Sequence, residues 1–190
     1  KMLKVNKILH LACAVTFMVI VALFLIEPGF CATAQLKFSA ILEKTEYSPD
    51  EPINVTLLLK NLGQVPVLVN KRFYISAEEA GKNQKEVYFI LTSPTGTKLP
   101  CKYFYETGYP KTEYFKLLAG GEEIKSEYSR NLKGFFEITE PGVYKLVAVY
   151  QNVFGPEIGL DTFRGQLIAE PAKFTIVDSK NQDKDLPNKK

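Results

Sequence analysis

From residue 35 onward the apolar positions come in short alternating or continuous runs separated by turn residues, and no stretch sustains the spacing of an amphipathic helix. The pattern predicts strands over residues 36–42, 53–60, 65–70, 87–92, 98–103, 115–118, 123–129, 143–151, 166–168 and 172–177, with one short turn within 76–85. In the second of these, Val55, Leu57 and Leu59 share a face with Ile53 while Leu58 lies on the other. Apolar residues on both faces suit a central strand of a sandwich. Ser93-Pro94-Thr95-Gly96 supplies a proline preset for a turn and a glycine free to take positive φ, so a hairpin is expected there. Ala119-Gly120-Gly121 predicts a second break.

The most specific local signal is Glu140-Pro141-Gly142-Val143-Tyr144, a turn that feeds a tyrosine at the head of the β-branched run 143–151. A ring at that point covers the end of a sandwich core while its hydroxyl bonds back to the preceding turn, the arrangement called a tyrosine corner in immunoglobulin-like domains. Tyr144 is therefore expected to be structural. Leu146 stands where antibody-type domains place a cysteine, and the chain has no tryptophan. The fold class expected is all-β, an immunoglobulin-like antiparallel β-sandwich over 35–177. The remaining residues, 178–190, have almost nothing to bury and read as a polar disordered tail.

The N-terminal residues 1–34 follow a different rule. Lys1, Lys4 and Lys7 precede an uncharged run, Ile8 to Ile26, then Pro28-Gly29 and Ala32-Thr33-Ala34. That order reads as a signal peptide cleaved after Ala34. A retained anchor is the alternative, because nineteen residues at helical rise span about 28 Å, close to the bilayer core. In either case the body is expected outside the cytoplasmic membrane, secreted or periplasmic if cleaved and anchored to that membrane if not. Bulky Phe30 beside Cys31 argues against a lipoprotein site.

Charge and composition narrow the function. Of the net charge of +3, the N-terminal segment carries +2, leaving +1 on residues 35–190 and no electrostatic case for nucleic acid. The only histidine, His10, lies in the apolar run. The mature chain then has no imidazole for a nucleophile–base pair or a zinc site. Cys13 and Cys31 fall in the same N-terminal segment, so Cys101 has no internal disulfide partner and is read as a small buried strand residue. No metal site, cofactor or catalytic residue is expected.

A family resemblance rests on Tyr47-Ser48-Pro49-Asp50-Glu51-Pro52-Ile53, the strand ending Lys60-Asn61, Gly63, Pro66-Val67, Thr95-Gly96, Leu118-Ala119-Gly120-Gly121-Glu122 and Glu140-Pro141-Gly142-Val143-Tyr144. In that order, across residues 36–151, the chain resembles the Bacillus-type intracellular proteinase inhibitor family and the β-domain preceding deuterolysin-type metallopeptidases. The resemblance implies a bacterial immunoglobulin-like domain and, by analogy, inhibition of a protease through a sandwich loop.

Two segments offer candidate binding residues. Residues 101–115 pack Tyr103, Phe104, Tyr105, Tyr109, Tyr114 and Phe115 with Lys102 and Lys111. Aromatics on a loop give stiff contact area with a polar handle, as on protein- or sugar-binding surfaces; the same residues in a strand would split between core and cross-strand ladder. Tyr103, Tyr105, Tyr109, Lys111 and Tyr114 are the candidates, with Tyr109, between Gly108 and Pro110, expected to be exposed. The second segment, residues 154–164, adds Arg164 and reads either as a recognition loop or as an ordinary long connection. The acidic pairs Asp50-Glu51, Glu78-Glu79 and Glu122-Glu123 sit where solvated turns are expected and lack the spacing of a calcium loop. The function expected is an exported, non-catalytic binding module acting on a protein or glycan partner at the cell envelope, with membrane contact only if the anchor is retained. The alternatives are a protease inhibitor or a carboxylate-based glycan-active enzyme.

Overall fold

The computed structural model describes residues 35–81, 85–102 and 108–178. The N-terminal segment, Tyr103, Tyr105 and the tail beyond Asp178 lie outside them. No helix among the described residues is long and apolar enough to cross a membrane.

The strands are β1 (Leu36–Leu42), β2 (Glu46–Tyr47), β3 (Asn54–Asn61), β4 (Val67–Asn70), β5 (Ile75–Ser76), β6 (Val87–Thr92), β7 (Lys98–Leu99), β8 (Phe115–Leu118), β9 (Glu123–Lys125), β10 (Arg130–Asn131), β11 (Gly142–Asn152), β12 (Gly165–Ile168) and β13 (Ala172–Ile176). Among the described residues, only short 3-10 turns and loops run between them. One sheet has the order β1-β3-β10, with β9 beside β10 on the same edge of β3. The other has the order β2-β13-β11-β6-β5, with β12 on β11 and β7 on β6. A two-stranded ribbon, β4–β8, lies outside both. The protein is an all-β sandwich. Two short pairings, β2 with β13 and β5 with β6, are parallel, so the larger sheet is mixed, whereas the β1-β3-β10 sheet and the ribbon are purely antiparallel.

Alternation explains the core. β3 is flanked on both edges, as expected of a central strand, and turns Val55, Leu57 and Leu59 inward. They meet Phe89 and Leu91 of β6, Tyr144, Leu146, Ala148 and Tyr150 of β11, and Phe174 of β13 in one apolar cluster. The hairpin at Ser93–Thr97 forms with Gly96 at φ +84°. At the head of β11 the tyrosine corner is in place: Glu140 N donates to Tyr144 Oη (3.1 Å), which donates to Glu140 O (2.9 Å).

Three strands are shorter by two or more residues than their sequence suggests. Proline, which has no N–H for the ladder, accounts for two: β4 begins after Pro66, and β7 stops before Pro100. Cys101 is consequently not a buried strand residue. It is half-buried, just past β7, at the margin of the core. The run 123–129 breaks at Ser126, whose hydroxyl accepts from Leu57 N (3.1 Å), and the chain bends away at Glu127–Tyr128 before β10 resumes the edge.

Candidate functional site

Between the β9–β10 edge and the β4–β8 ribbon lies an open cleft of about 860 Å³. Lys71, Arg72 and Tyr74 line one part of it, Glu113, Tyr114 and Lys116 another, and Ile124, Lys125, Glu127, Tyr128 and Arg130 the β9–β10 side.

Arg72 organises this region. Its guanidinium forms a buried ion pair with Glu86, their side chains being 7% and 1% exposed. Glu86 also accepts from Tyr74 N (3.2 Å) and Asn70 Nδ2 (2.9 Å), and Arg72 N donates to Asn70 Oδ1 (3.0 Å). The guanidinium carbon stands 4.5 Å from the Tyr74 ring centroid and 5.0 Å from that of Tyr114, within cation–π range of both. Its Nη2 donates to Gly108 O (3.1 Å), which ties the 108–114 segment to the ribbon. Nothing in the local sequence marked Arg72 or Glu86, because their significance comes from meeting across fourteen residues and a sheet.

Of the cations that line the cleft, Arg72 is neutralised by Glu86 and Lys116 is paired with Glu122 (2.6 Å), while Lys125 lies 3.8 Å from Glu123. Lys71 and Arg130 have no carboxylate within ion-pair distance among the described residues, and Arg130 Nε is buried without a hydrogen-bond partner there. Tyr128 is 63% exposed, with its hydroxyl donating to Glu127 Oε1 (3.0 Å). That bond to a carboxylate pushes the Tyr128 phenol up from its ordinary value.

The residues singled out in the sequence separate. Tyr114 lines the cleft. Tyr109 is 71% exposed, as expected, but its ring packs against buried Phe154 (centroids 5.4 Å apart), outside the cleft lining. Lys111 is exposed and lies 3.9 Å from Glu113. Arg164 is exposed and lays its Cδ over Gly155, 3.0 Å from where a Cβ would stand. Tyr103 and Tyr105 lie outside the described residues.

Most hydrogen bonds of the 154–164 connection are local, and Phe163 N reaches out to Leu68 O (2.9 Å). Asn152 Nδ2 donates to Phe154 O (2.9 Å), Thr162 Oγ1 (3.1 Å) and Phe163 O (2.6 Å), and Glu157 Oε1 accepts from Gly155 N (2.9 Å). The acidic turns act likewise. Glu51 accepts from Ser48 N (3.1 Å) and pairs with Lys44; Glu122 accepts from Ala119 N (3.0 Å). The lysine partner and then the turn N–H lower the pKa of each carboxyl. No group of three or more His, Cys, Asp or Glu side chains among the described residues is placed to hold a metal ion.

No family model matches the chain, and no curated protein sequence matches it.

Proposed function

We propose that the protein is an exported, non-catalytic β-sandwich that binds a protein or glycan partner at the cell envelope, with the cleft between the β9–β10 edge and the β4–β8 ribbon as its recognition surface. The observation that carries this reading is the lining of that cleft: three tyrosines with cations, two of which have no ion-pair partner among the described residues. Rings with polar tips and guanidinium groups around an open, preformed concavity are the chemistry of recognition surfaces. Export is supported by the lysine-flanked apolar run and the Ala32-Thr33-Ala34 site.

The lining also favours binding over hydrolysis. Its two carboxylates, Glu113 and Glu127, are both exposed, whereas a glycosidase relies on burial to keep one of its pair protonated.

A pull-down from an envelope fraction tests the reading, using the tagged full chain in detergent beside a Tyr128→Ala/Arg130→Gln variant and a Tyr109→Ala/Arg164→Ala variant, with captured proteins and carbohydrates both identified. A partner lost with the first variant and kept with the second is the expected result. No partner, or one indifferent to the cleft substitutions, would overturn the assignment.

A further inference from the structure

The cleft is bordered by an unpaired strand edge. In the β3–β9 ladder, Asn61 N donates to Glu122 O (2.9 Å) and Ser126 N donates to Leu57 O (2.9 Å). Antiparallel pairing alternates, so residues 122, 124 and 126 direct their main-chain groups at β3, and Glu123 and Lys125 direct theirs to the opposite side. No strand among the described residues pairs with that outer edge. No residue of β3 lines the cleft, whereas Ile124 and Lys125 of β9 and Arg130 of β10 do, so the outer edge faces the cleft.

From this juxtaposition we infer that the cleft takes an extended acidic segment of a protein partner, which adds as a strand along β9. The inference rests on the binding reading above and names its ligand class. Two features carry it. Main-chain groups at a free edge offer the bonds by which an extended peptide completes a sheet. Of the five lining cations, Arg72, Lys116 and Lys125 already have Glu86, Glu122 and Glu123 within ion-pair distance, while Lys71 and Arg130 have no carboxylate at that distance among the described residues and are left to meet a ligand's charge. Carboxylates on alternate residues of an added strand recur every 6.6–6.8 Å or so on one face, which suits a cleft with cations on both walls. A glycan is the weaker fit, because Arg72 stands over both the Tyr74 and Tyr114 rings and occupies faces on which a sugar would stack.

The test uses the full chain in detergent and three probes: a blocked peptide alternating glutamate with threonine, its lysine–threonine counterpart, and polygalacturonate. Proline at residue 125 removes an outward N–H while leaving the bonds to β3 in place, as edge strands tolerate. Lys125→Gln removes only the charge. The expected result is salt-sensitive binding of the glutamate peptide alone, weakened severalfold by Lys125→Gln and at least tenfold further by Lys125→Pro. Unchanged circular dichroism and thermal midpoint keep the comparison valid, and Arg130→Gln, which leaves β9 untouched, should also weaken binding severalfold. Equal affinity of the two residue-125 variants would overturn strand addition. Binding of polygalacturonate but not of the glutamate peptide would overturn the peptide inference and leave the binding reading standing. Binding of none of the three would overturn this inference, while the envelope pull-down decides the broader reading independently.

Discussion

The hydroxyl of Tyr150 bridges both main-chain groups of Asn70, accepting from its N–H (3.1 Å) and donating to its C=O (3.0 Å). Tyr144, at the other end of β11, does the same to Glu140. One strand thus carries two phenolic locks: Tyr144 fixes the turn that enters it, and Tyr150 fixes the ribbon that forms a wall of the cleft. Tyr150→Phe keeps the ring and leaves a buried N–H and C=O short of a partner, at a cost of about 1–3 kcal/mol. Urea denaturation should show that loss with little change in m. A loss no greater than that of an exposed substitution such as Tyr109→Phe would contradict the bridge.

The same residue sets behaviour in alkali. Burial, reinforced by the negative charge of Glu86, pushes the Tyr150 phenol far above its ordinary value of 10.0, and burial raises Tyr144 and Tyr88 as well. In the unfolded chain these phenols ionise near pH 10, so above that pH the unfolded state binds fewer protons than the native one. Stability is unaffected by these groups below about pH 10 and falls above it, by up to about 1.4 kcal/mol per pH unit for a phenol that stays protonated in the fold. Denaturation midpoints measured between about pH 9 and 11 should fall more gently for Tyr150→Phe than for the parent. Parallel slopes would remove Tyr150 as a source of the effect.

The two locks show what was legible in the sequence. The partner of Tyr144 lies four residues upstream across a Pro-Gly turn, so local pattern located it. The partner of Tyr150 lies eighty residues away, and nothing near Tyr150 points to it. The strands followed the same division. Runs with strong alternation, such as β3, β6 and β11, are readable, while β2, β5 and β10 are two-residue pairings too short to carry a pattern of their own, and β2 and β10 pair with strands far along the chain. The cleft was the least legible feature. Tyr114 is marked by its aromatic neighbourhood, but Arg72 and Tyr74, and Tyr128 and Arg130, reach the cleft from two other segments with no motif among them.

Glu86 is predicted to be the most sensitive position beside the cleft. Glu86→Gln keeps the shape but leaves the Arg72 guanidinium buried with no counter-charge, and breaking a buried pair from one side costs about 3–5 kcal/mol. Arg72 would also lose its fixed position over Tyr74 and Tyr114, so the cleft lining should loosen together with the fold. Chemical denaturation measures the first effect, and hydrogen exchange at Tyr74 N, which donates to Glu86 Oε2, measures the second. Stability within about 1 kcal/mol of the parent would mean that the pair behaves as a surface salt bridge.

Asn152 gives the cleanest test of whether the 154–164 connection is structural. Its Nδ2 faces three oxygens, two of them main-chain carbonyls, which fixes the amide orientation by chemistry. Asn152→Asp is nearly isosteric but replaces that donor with an acceptor. At neutral pH it would set a buried negative charge against the Phe154 and Phe163 carbonyls, a change expected to cost at least about 2 kcal/mol. Lowering the pH should recover part of the loss, because a protonated carboxyl at position 152 can donate again. The connection should open before the sandwich does, since its other bonds are local except that of Phe163 N to Leu68 O (2.9 Å), and its apolar anchors are Phe154 and Phe163. Hydrogen exchange confined to residues 153–164, faster in the variant and slowed again in acid after correction for intrinsic rates, is the expected signature. Uniform loss of protection across β11 and β13 would instead make Asn152 part of the core's own cooperativity.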